Sequence, residues 1–454
     1  MTVPTLPLDT IARQQMALAA STTSATTLVE QACACARDSD GEGQLVFLDH
    51  NTEAAMAQAA HADAMRNAGV DQGPLAGMPI SVKDLFDIAG ETTRAGSRIR
   101  ESAPAADADA AIVRRLKGAG AIIVGRTNMT EFAYSGIGIN PHYGTPANPW
   151  DRPGRRIPGG SSSGAAISVT DGMAIAAIGT DTGGSVRIPS ALTGLTGFKP
   201  TANRIPQDGC FPLSFSLDSI GPLAASVECC NVIDGVMAGV TPEALPDIPV
   251  RGLRLGAAQT LVLEDLEDTV AAAYERALSK LSAAGVILTD VSFDILADIP
   301  KLSTAGGLAA VEALSLHRQD LEVEPQNFDH RVAARMMNGA KTSGADYVDL
   351  LHARGRYCNE ADEITAPYDA ILMPTCPRIA PKIADLENDD TAFGDNNLAM
   401  LRNTALFNFL DRCATSLPIH QAGDAPVGLM VVGDTDDDRW NLTVSKAIEG
   451  ALAK

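Results

Sequence analysis

The chain has 454 residues, of which 45% are hydrophobic and 20% are charged, a composition typical of a globular protein with a substantial core. Its formal net charge is −21, and so acidic a surface repels nucleic acids and anionic membranes. We therefore expect neither as a partner, and we attribute the bulk acidity to solubility.

The cysteines and the N-terminus predict the compartment. The eight cysteines include no C-x-x-C pair, which argues against a zinc site, and the chain is too long for a disulfide framework. The first residues, MTVPTLPLDTIARQQ, lack the basic and continuous apolar regions of a secretory signal. The apolar run from Ser163 to Ile178 is interrupted at Asp171 and is too short to span a bilayer. We expect a soluble, cytoplasmic protein with free thiols.

Helical patterns open the chain, and short apolar strands follow. Residues 8–36 and the alanine-rich residues 51–68 are predicted to be helical. A strand is expected at 79–83, a helix at 109–117 and a strand at 121–124. The order then repeats, with a helix at 162–170, a strand at 173–178, a helix after Ser185 and a strand at 196–199.

The same alternation continues to the C-terminus. Strands are predicted at 253–257, 286–293, 370–374 and 428–433, with a helix at 268–284. The acidic residues 385–396 are expected to form a loop. Residues 238–251 carry three prolines and form either a linker or a surface loop within one domain. We favour the surface loop, because the alternation of helices and strands resumes unchanged after it.

Helices that alternate with strands predict an α/β protein. We predict a single domain over 1–454, with an N-terminal helical segment at about 1–70, a core at about 71–235 and a C-terminal part at about 236–454.

The serine- and glycine-rich window 158–200 allows several interpretations. Residues 160–164 (GSSSG) match the G-x-S-x-G nucleophile elbow, which needs a preceding strand, whereas 151–158 has the composition of a loop. Residues 181–183 (DTG) resemble the aspartic protease triplet, but the chain lacks the second triplet. A phosphate-binding loop would need G-K-[ST], and a dinucleotide fingerprint would need a glycine where Pro141 stands.

The whole window resembles the amidase signature family instead. It contains GGSSSG, GTDTGGSVRIP and GFKPT in order, and it places Ser161 and Ser185 24 residues apart, as that family does. Lys83 stands upstream in GMPISVKD at 77–84, the context in which the family has its lysine. Further similar segments lie at 125–132, 142–144, 148–149, 216–222, 373–375 and 426–429, so the resemblance covers roughly 70 to 435.

This resemblance implies a fold, a triad and a mechanism. The implied fold is a large mixed, twisted β-sheet with helices on both faces. The implied triad is Ser–cis-Ser–Lys, with Ser185 as nucleophile, Ser161 as proton relay and Lys83 as base, and it needs no metal or cofactor. Lysine acts as a base only when neutral, so its pKa of about 10.4 must be lowered, by burial or by nearby positive charge.

The glycines beside Ser185 suggest how charge on the substrate is stabilised. Gly183 and Gly184 let the backbone turn without steric clash, so that their N–H groups and those of Thr182 and Ser185 can converge on an oxyanion.

The pocket is expected to form from the loops 134–143 and 205–215. Its predicted lining is largely apolar and suits an aryl or alkyl amide, ester or carbamate. The expected substrate-binding residues are Tyr134, Ser135, Gly136, Ile137, Phe211 and Leu213, with Phe215 beside them.

Other residues receive structural interpretations. We expect Asp181 and Arg187 to form an ion pair, His142 to be structural, and Cys376 and Met430 to lie in the core. Ser162 and Ser163 either bond within the triad or cap the following helix. The chain departs from the family where it has Ser-Leu-Pro at 416–418 for Gly-Leu-Pro, and Met430 where many members carry glutamine.

The function predicted from the resemblance is that of a free-standing amidase acting on a small-molecule amide or carbamate, and a homodimer is the expected oligomer. Two alternatives within the family stay open. One is a carbamate, urethane or acylurea hydrolase of a degradative pathway. The other is a glutaminase-type A subunit of a tRNA-dependent amidotransferase. No basic segment of the chain supports docking onto a tRNA-binding partner. A non-catalytic subunit of a complex is the alternative outside enzymes.

Overall fold

A computed structural model describes residues 8–302 and 305–453, and its central element is one mixed β-sheet. Within those residues the sheet has eleven strands in the order β1-β3-β2-β4-β6-β5-β10-β11-β9-β7-β8. Their bounds are β1 Phe47–Asp49, β2 Pro79–Lys83, β3 Ile122–Thr127, β4 Ala176–Asp181, β5 Thr196–Lys199, β6 Ser219–Ala224, β7 Arg254–Ala258, β8 Ile287–Val291, β9 Ala370–Pro374, β10 Ala414–Pro418 and β11 Gly428–Val432. The predicted α/β class with a large mixed sheet is confirmed.

Fifteen α-helices surround the sheet within the same residues. Their bounds are α1 Ile11–Ala19, α2 Ala25–Arg37, α3 Gly43–Val46, α4 Thr52–Asn67, α5 Ala111–Gly118, α6 Ser163–Thr170, α7 Arg187–Thr193, α8 Val227–Ala238, α9 Asp268–Ala283, α10 Ile295–Asp298, α11 Gly307–Val323, α12 His330–Met337, α13 Gly344–Thr365, α14 Asp390–Phe409 and α15 Asp438–Leu452.

Helices cover both faces of β4, as its alternating side chains show. Ile178 packs in the large core cluster that contains Ile233 of α8. Ala177 points to the opposite face, where it packs in a cluster with Ala165 of α6 and with Leu223. Because successive side chains of a strand alternate between faces, both surfaces of the sheet are buried at this strand.

Three adjacent parallel strands, β3, β2 and β4, set the position of the site. Strand β2 lies between β3 and β4 and runs parallel to both, with Val82 opposite Arg126 on one side and Ile178 on the other. Parallel neighbours end at the same edge of a sheet. The last residue of β2, Lys83, is therefore brought beside the last residues of β4, at 180–181.

Several predicted strands agree with the structure, and one is displaced. Strands β2 and β9 have the predicted bounds of 79–83 and 370–374. Strand β4 runs from Ala176 to Asp181, whereas the apolar run predicted a strand at 173–178. The reason is local, because the N–H groups of Met173 and Ala174 both donate to the carbonyl of Ser168 and close helix α6.

The predicted helical segment 8–36 is two helices. Helix α1 ends at Ala19 and α2 begins at Ala25, after Ser24 accepts a hydrogen bond from the N–H of Thr27. A serine at this position satisfies one of the free N–H groups of a helix start, so it begins a new helix. Residues 1–7, part of the N-terminal stretch that we judged not to be a signal, lie outside the described residues.

The prediction of a loop over 385–396 is wrong in its second half, because helix α14 begins at Asp390. The side chain of Asp389 accepts hydrogen bonds from the N–H groups of Thr391 and Ala392. Acidic residues were interpreted as a solvated loop, but a carboxylate at a helix start also satisfies free N–H groups. The elements that were not predicted are helices α3, α8, α10, α11, α12, α13 and α15 and strands β1, β6 and β10.

Residues 238–251 form neither helix nor strand beyond the end of α8, and they pack on that helix. Asn231 of α8 donates to the carbonyl of Glu243 at 2.9 Å, and Leu245 is buried in the large core cluster. All eight cysteines are free thiols. Among the described residues, no helix combines the length and the apolar character that crossing a bilayer requires.

Replacing Asp389 by alanine removes the side-chain cap of α14. We expect a loss of about 1 kcal/mol in the free energy of unfolding, measured by urea denaturation. Glu387→Ala is the matched control, because it removes the same charge from an exposed position two residues earlier. An equal loss in both variants would show that charge, and not the cap, causes the effect.

Candidate active site

Lys83 lies at the end of β2 and is fully buried. Its Nζ donates to Ser161 Oγ at 2.7 Å and to Thr180 Oγ1 at 2.8 Å. Burial lowers the pKa of Lys83 from 10.5 to about 7, although Asp218 and Asp181 nearby favour its charged form. A lysine whose partners are two hydroxyls is a candidate proton acceptor near neutral pH.

Ser161 lies just before helix α6, and its hydroxyl contacts the amine of Lys83. The peptide bond between Gly160 and Ser161 is cis. The Ser161 carbonyl accepts a hydrogen bond from the N–H of Thr130 at 3.1 Å, which ties the serine to the segment after β3. The backbone at Gly160 leaves no room for a side chain, because an added Cβ would lie 2.5 Å from the nitrogen of Gly138.

Ser162 and Ser163 face the backbone and not the lysine. Ser162 Oγ lies 3.5 Å from the carbonyl oxygen of Thr180, and Ser163 Oγ lies 3.5 Å from that of Asn128. Neither hydroxyl caps α6, since the residue at the N-cap, Ser162, makes no side-chain capping bond.

Ser185 lies between β4 and the short helix α7. The residue is 3% exposed. Among the described residues, its hydroxyl has no hydrogen-bond partner, in contrast to Ser161, and no direct hydrogen bond joins the two serines. The structure thus places Lys83 and Ser161 in contact, with Ser185 as an unpaired hydroxyl in the loop that begins at Thr182.

Asp181 and Arg187 hold that loop as a fully buried ion pair. Arg187 Nη2 and Nε donate to the two carboxylate oxygens of Asp181 at 2.8 and 3.0 Å. Burial favours the neutral acid, but the Arg187 guanidinium outweighs it and holds the pKa of Asp181 below its usual value. Arg187 also contacts Asn408 Oδ1 at 2.5 Å and Met430 Sδ at 3.2 Å, so one departure from the family, Met430, lies against the pair.

The four N–H groups predicted to bind an oxyanion are not equivalent. The N–H of Gly184 donates to Asp181 Oδ1 at 2.8 Å, so it is engaged within the protein, and our assignment of it to the oxyanion hole is corrected. The N–H groups of Thr182, Gly183 and Ser185 have no acceptor among the described residues. Three of the four donors therefore stay available to a ligand.

The first predicted pocket loop packs beside Ser161. Gly160 donates to the carbonyl of Gly136 at 2.8 Å, and Ser135 Oγ and the Gly136 N–H both donate to Asn397 Oδ1, at 3.0 and 2.9 Å. The side chain of Ile137 is fully buried in a cluster with Ile188 of α7, so it supports the pocket loop from the protein interior.

The second pocket loop contributes Phe211 and Leu213 to the apolar cluster that also holds Tyr134. Phe211 packs on His317, with ring centroids 5.7 Å apart. Phe215 is 59% exposed and lies in solvent, so the expectation that it lines the pocket is not met by its position.

Three residues near the site were missed in the sequence. Thr180 is the second acceptor for Lys83, and its signal was its place in GTDTGGS. Asp218 accepts the hydroxyl of Thr182 and the N–H groups of two residues in the preceding loop, and burial raises its pKa to about 6. Arg335 of α12 donates to the carbonyl of Tyr134 at 2.7 Å and lies over its ring at 4.3 Å. No local pattern distinguishes Arg335 from a surface arginine.

His142, Cys376 and Met430 were expected to have structural roles. His142 Nε2 lies 2.8 Å from Glu131 Oε1, in the segment after β3. Cys376 and Met430 are both buried in apolar clusters.

The pKa of Lys83 predicts how reaction at Ser185 depends on pH. A base is active when neutral, and a lysine with a pKa of about 7 becomes neutral as pH rises through 7. The rate constant for modification by a fluorophosphonate should therefore rise with pH and level off above a midpoint near 7, followed by intact-protein mass. Lys83→Met should remove this rise, and a wild-type midpoint above 9 would contradict a neutral lysine.

Comparison with known proteins agrees with this geometry. The family model described as Amidase matches residues 29–442. A 2-amino-5-chloromuconic acid deaminase from Comamonas testosteroni is 35% identical over 88% of this chain and 87% of its own length. A 1-carboxybiuret hydrolase subunit from Pseudomonas sp. (strain ADP) is 35% identical over 81% of each chain.

A further relative and a solved structure extend the match to nearly the whole chain. The A-type subunit of a glutamyl-tRNA(Gln) amidotransferase from Chloroflexus aurantiacus is 32% identical over 97% of this chain and 96% of its own. A solved structure described as an amidase has a TM-score of 0.88 and 31% identity, covering 97% of this chain and 99% of that one. The chain therefore belongs to the amidase signature family and is a hydrolase that acts on carbon–nitrogen bonds.

Proposed function

We propose that this protein is a free-standing amidase that hydrolyses a small linear amide through an acyl-enzyme on Ser185. One observation carries the proposal. Fully buried Lys83 has a pKa of about 7 and donates to Ser161 at 2.7 Å, so a neutral base and its relay are already in contact. Hydroxyl nucleophiles need such an adjacent base, because an alcohol attacks an amide carbonyl poorly.

The proton steps that we propose use the contact between Lys83 and Ser161, and they need a second contact between Ser161 and Ser185 to form when substrate binds. Neutral Lys83 accepts the proton of Ser161, Ser161 accepts that of Ser185, and Ser185 Oγ bonds to the carbonyl carbon. The relay then returns the proton to the amide nitrogen, the C–N bond breaks, and the amine leaves. Water attacks the resulting ester with the same relay as base, which releases the carboxylic acid and restores Ser185.

Charge that develops on the carbonyl oxygen has donors nearby. The N–H groups of Thr182, Gly183 and Ser185 have no acceptor among the described residues, and they belong to the loop that carries the nucleophile. One donor of this kind contributes about 3 kcal/mol to transition-state stabilisation. We propose these three as the oxyanion hole.

We further propose that the substrate carries a carboxylate, which Arg335 binds. Arg335 is partly buried, and burial lowers its pKa. Its contacts are the carbonyl and ring of Tyr134, and no carboxylate forms an ion pair with it within the described residues. By contrast, the buried Arg126 pairs with Asp84 at 2.9 Å.

An arginine that is partly desolvated without a counter-ion favours an anionic ligand, since such a ligand restores the missing pairing. Two relatives are named for substrates that carry a carboxyl group, a chloromuconic acid and a carboxybiuret. The apolar cluster of Tyr134, Phe211 and Leu213 would then lie against the rest of the molecule, with the charge at the Tyr134 end.

Labelling with a fluorophosphonate tests the nucleophile. Wild type should gain one adduct by intact-protein mass, Ser185→Ala should gain none, and Lys83→Ala should react at least about tenfold more slowly. Ser163→Ala is the matched control, because it removes a neighbouring buried serine hydroxyl that contacts only backbone. An adduct on Ser185→Ala would contradict the assignment of the nucleophile.

A pair of substrates tests the charge preference. The mono-4-nitroanilide of succinic acid should be hydrolysed with a kcat/KM at least about tenfold above that of its methyl ester, because only the acid pairs with Arg335. Arg335→Met should remove this preference through KM, and Arg335→Lys should keep part of it.

The other outcomes favour the alternatives. Equal rates for the acid and its ester in wild type would contradict the role of Arg335. Faster turnover of a 4-nitrophenyl carbamate than of either anilide would favour a carbamate hydrolase. Activity on glutamine that needs a partner protein would favour a role within an amidotransferase.

A further inference from the structure

We propose that Thr404, on helix α14, is a positioning residue for the oxyanion hole. The inference rests on the proposed function, since it assigns a role to the backbone around the nucleophile. Thr404 is fully buried, and its Oγ1 donates to the carbonyl of Gly183 at 2.6 Å. The carbonyl of Leu401 lies farther from the same hydroxyl, at 3.4 Å, so the single proton is directed to Gly183.

With the bond to the Gly183 carbonyl, one peptide unit is hydrogen-bonded at both of its ends. The carbonyl of Gly183 and the N–H of Gly184 belong to the same peptide group, and Asp181 Oδ1 accepts that N–H at 2.8 Å. Thr404 thus holds one end of the peptide and Asp181 the other. A peptide plane held at both ends cannot rotate, so the adjoining N–H groups of Gly183 and Ser185 keep their directions.

The fit around Gly184 shows how closely Thr404 lies against the loop. Gly184 has φ of +135°, and a Cβ added there would lie 2.2 Å from Thr404 Oγ1. A Cβ added at Gly183 would meet only Leu401 and Ala405, at 3.3 and 3.7 Å. Only glycine therefore fits beneath Thr404, and the hydroxyl fills the space that a side chain would need.

Helix α14 presents one face to both loops of the site. Asn397, Leu401, Thr404 and Asn408 recur at intervals of four, three and four residues, which places them on one side of a helix. Asn397 accepts bonds from Ser135 and Gly136 of the pocket loop, and Asn408 donates to the Asp181 carbonyl at 3.1 Å.

Asn397 and Thr404, at different positions along this face, support different loops. Asn397 supports the loop that we propose to bind substrate, whereas Thr404 supports the loop that we propose to stabilise the transition state. Changes at Thr404 should therefore act on the chemical step, and changes at Asn397 on binding.

The experiment replaces Thr404 by valine, which keeps its shape and removes its donor, and by serine, which keeps the donor. The readout is inactivation by a fluorophosphonate, separated into the maximal rate constant and the half-saturating concentration. Thr404→Val should lower the rate constant at least about tenfold, leave the half-saturating concentration within about twofold, and leave the pH midpoint unchanged. Thr404→Ser should retain the wild-type rate constant within about threefold.

Two further variants make the result specific. Thr443→Val is the matched control, because it removes a buried hydroxyl bond to the Arg439 carbonyl, 2.8 Å long, in helix α15. It should keep the wild-type rate constant. Thr404→Cys, a weaker donor of similar size, should give an intermediate value and keeps the test decisive if the valine variant does not fold.

The outcomes separate this inference from the proposed function. A rate constant within twofold of wild type in Thr404→Val, or an equal fall in Thr404→Ser or Thr443→Val, would overturn the role of Thr404 while leaving the nucleophile in place. Absence of any adduct on wild-type Ser185 would overturn both.

Discussion

The site depends on the burial of one amine at the end of strand β2, between two parallel neighbours in the sheet. Lys83 is fully enclosed between β3 and β4, and its hydrogen-bond partners are the hydroxyls of Ser161 and Thr180. Removal from water favours its neutral form and lowers its pKa to about 7. A carboxylate in place of either hydroxyl would restore the charged form and remove the base.

The anions around the lysine are engaged elsewhere. Asp181 is bound by Arg187 and by the N–H of Gly184, and Asp218 is bound by Thr182 and by backbone N–H groups. Both carboxylates therefore serve to shape the loop after β4 and do not pair directly with Lys83. Burial thus keeps the amine neutral against the pull of these two carboxylates, which hold the loop that carries the backbone donors.

Much of the fold and the contact between Lys83 and Ser161 could be predicted because the signals are local in sequence. Strand β2 has its predicted bounds, and Lys83 at its end is buried, which is one of the two conditions named for lowering its pKa. The acidic start of α14 was mistaken for a loop, because composition alone does not show that Asp389 caps a helix. Ile137 was expected to face a ligand, but apolar side chains in a loop also pack inward, as this fully buried residue does.

The sequence alone determined the family, the mixed α/β architecture and the identity of the three candidate catalytic residues, since each is written in short ordered motifs. Only the tertiary structure decided which groups surround them. Thr404 lies 221 residues from Gly183, and Arg335 lies 201 residues from Tyr134. Contacts over such separations arise from the packing of helices on the sheet, and no local periodicity records them.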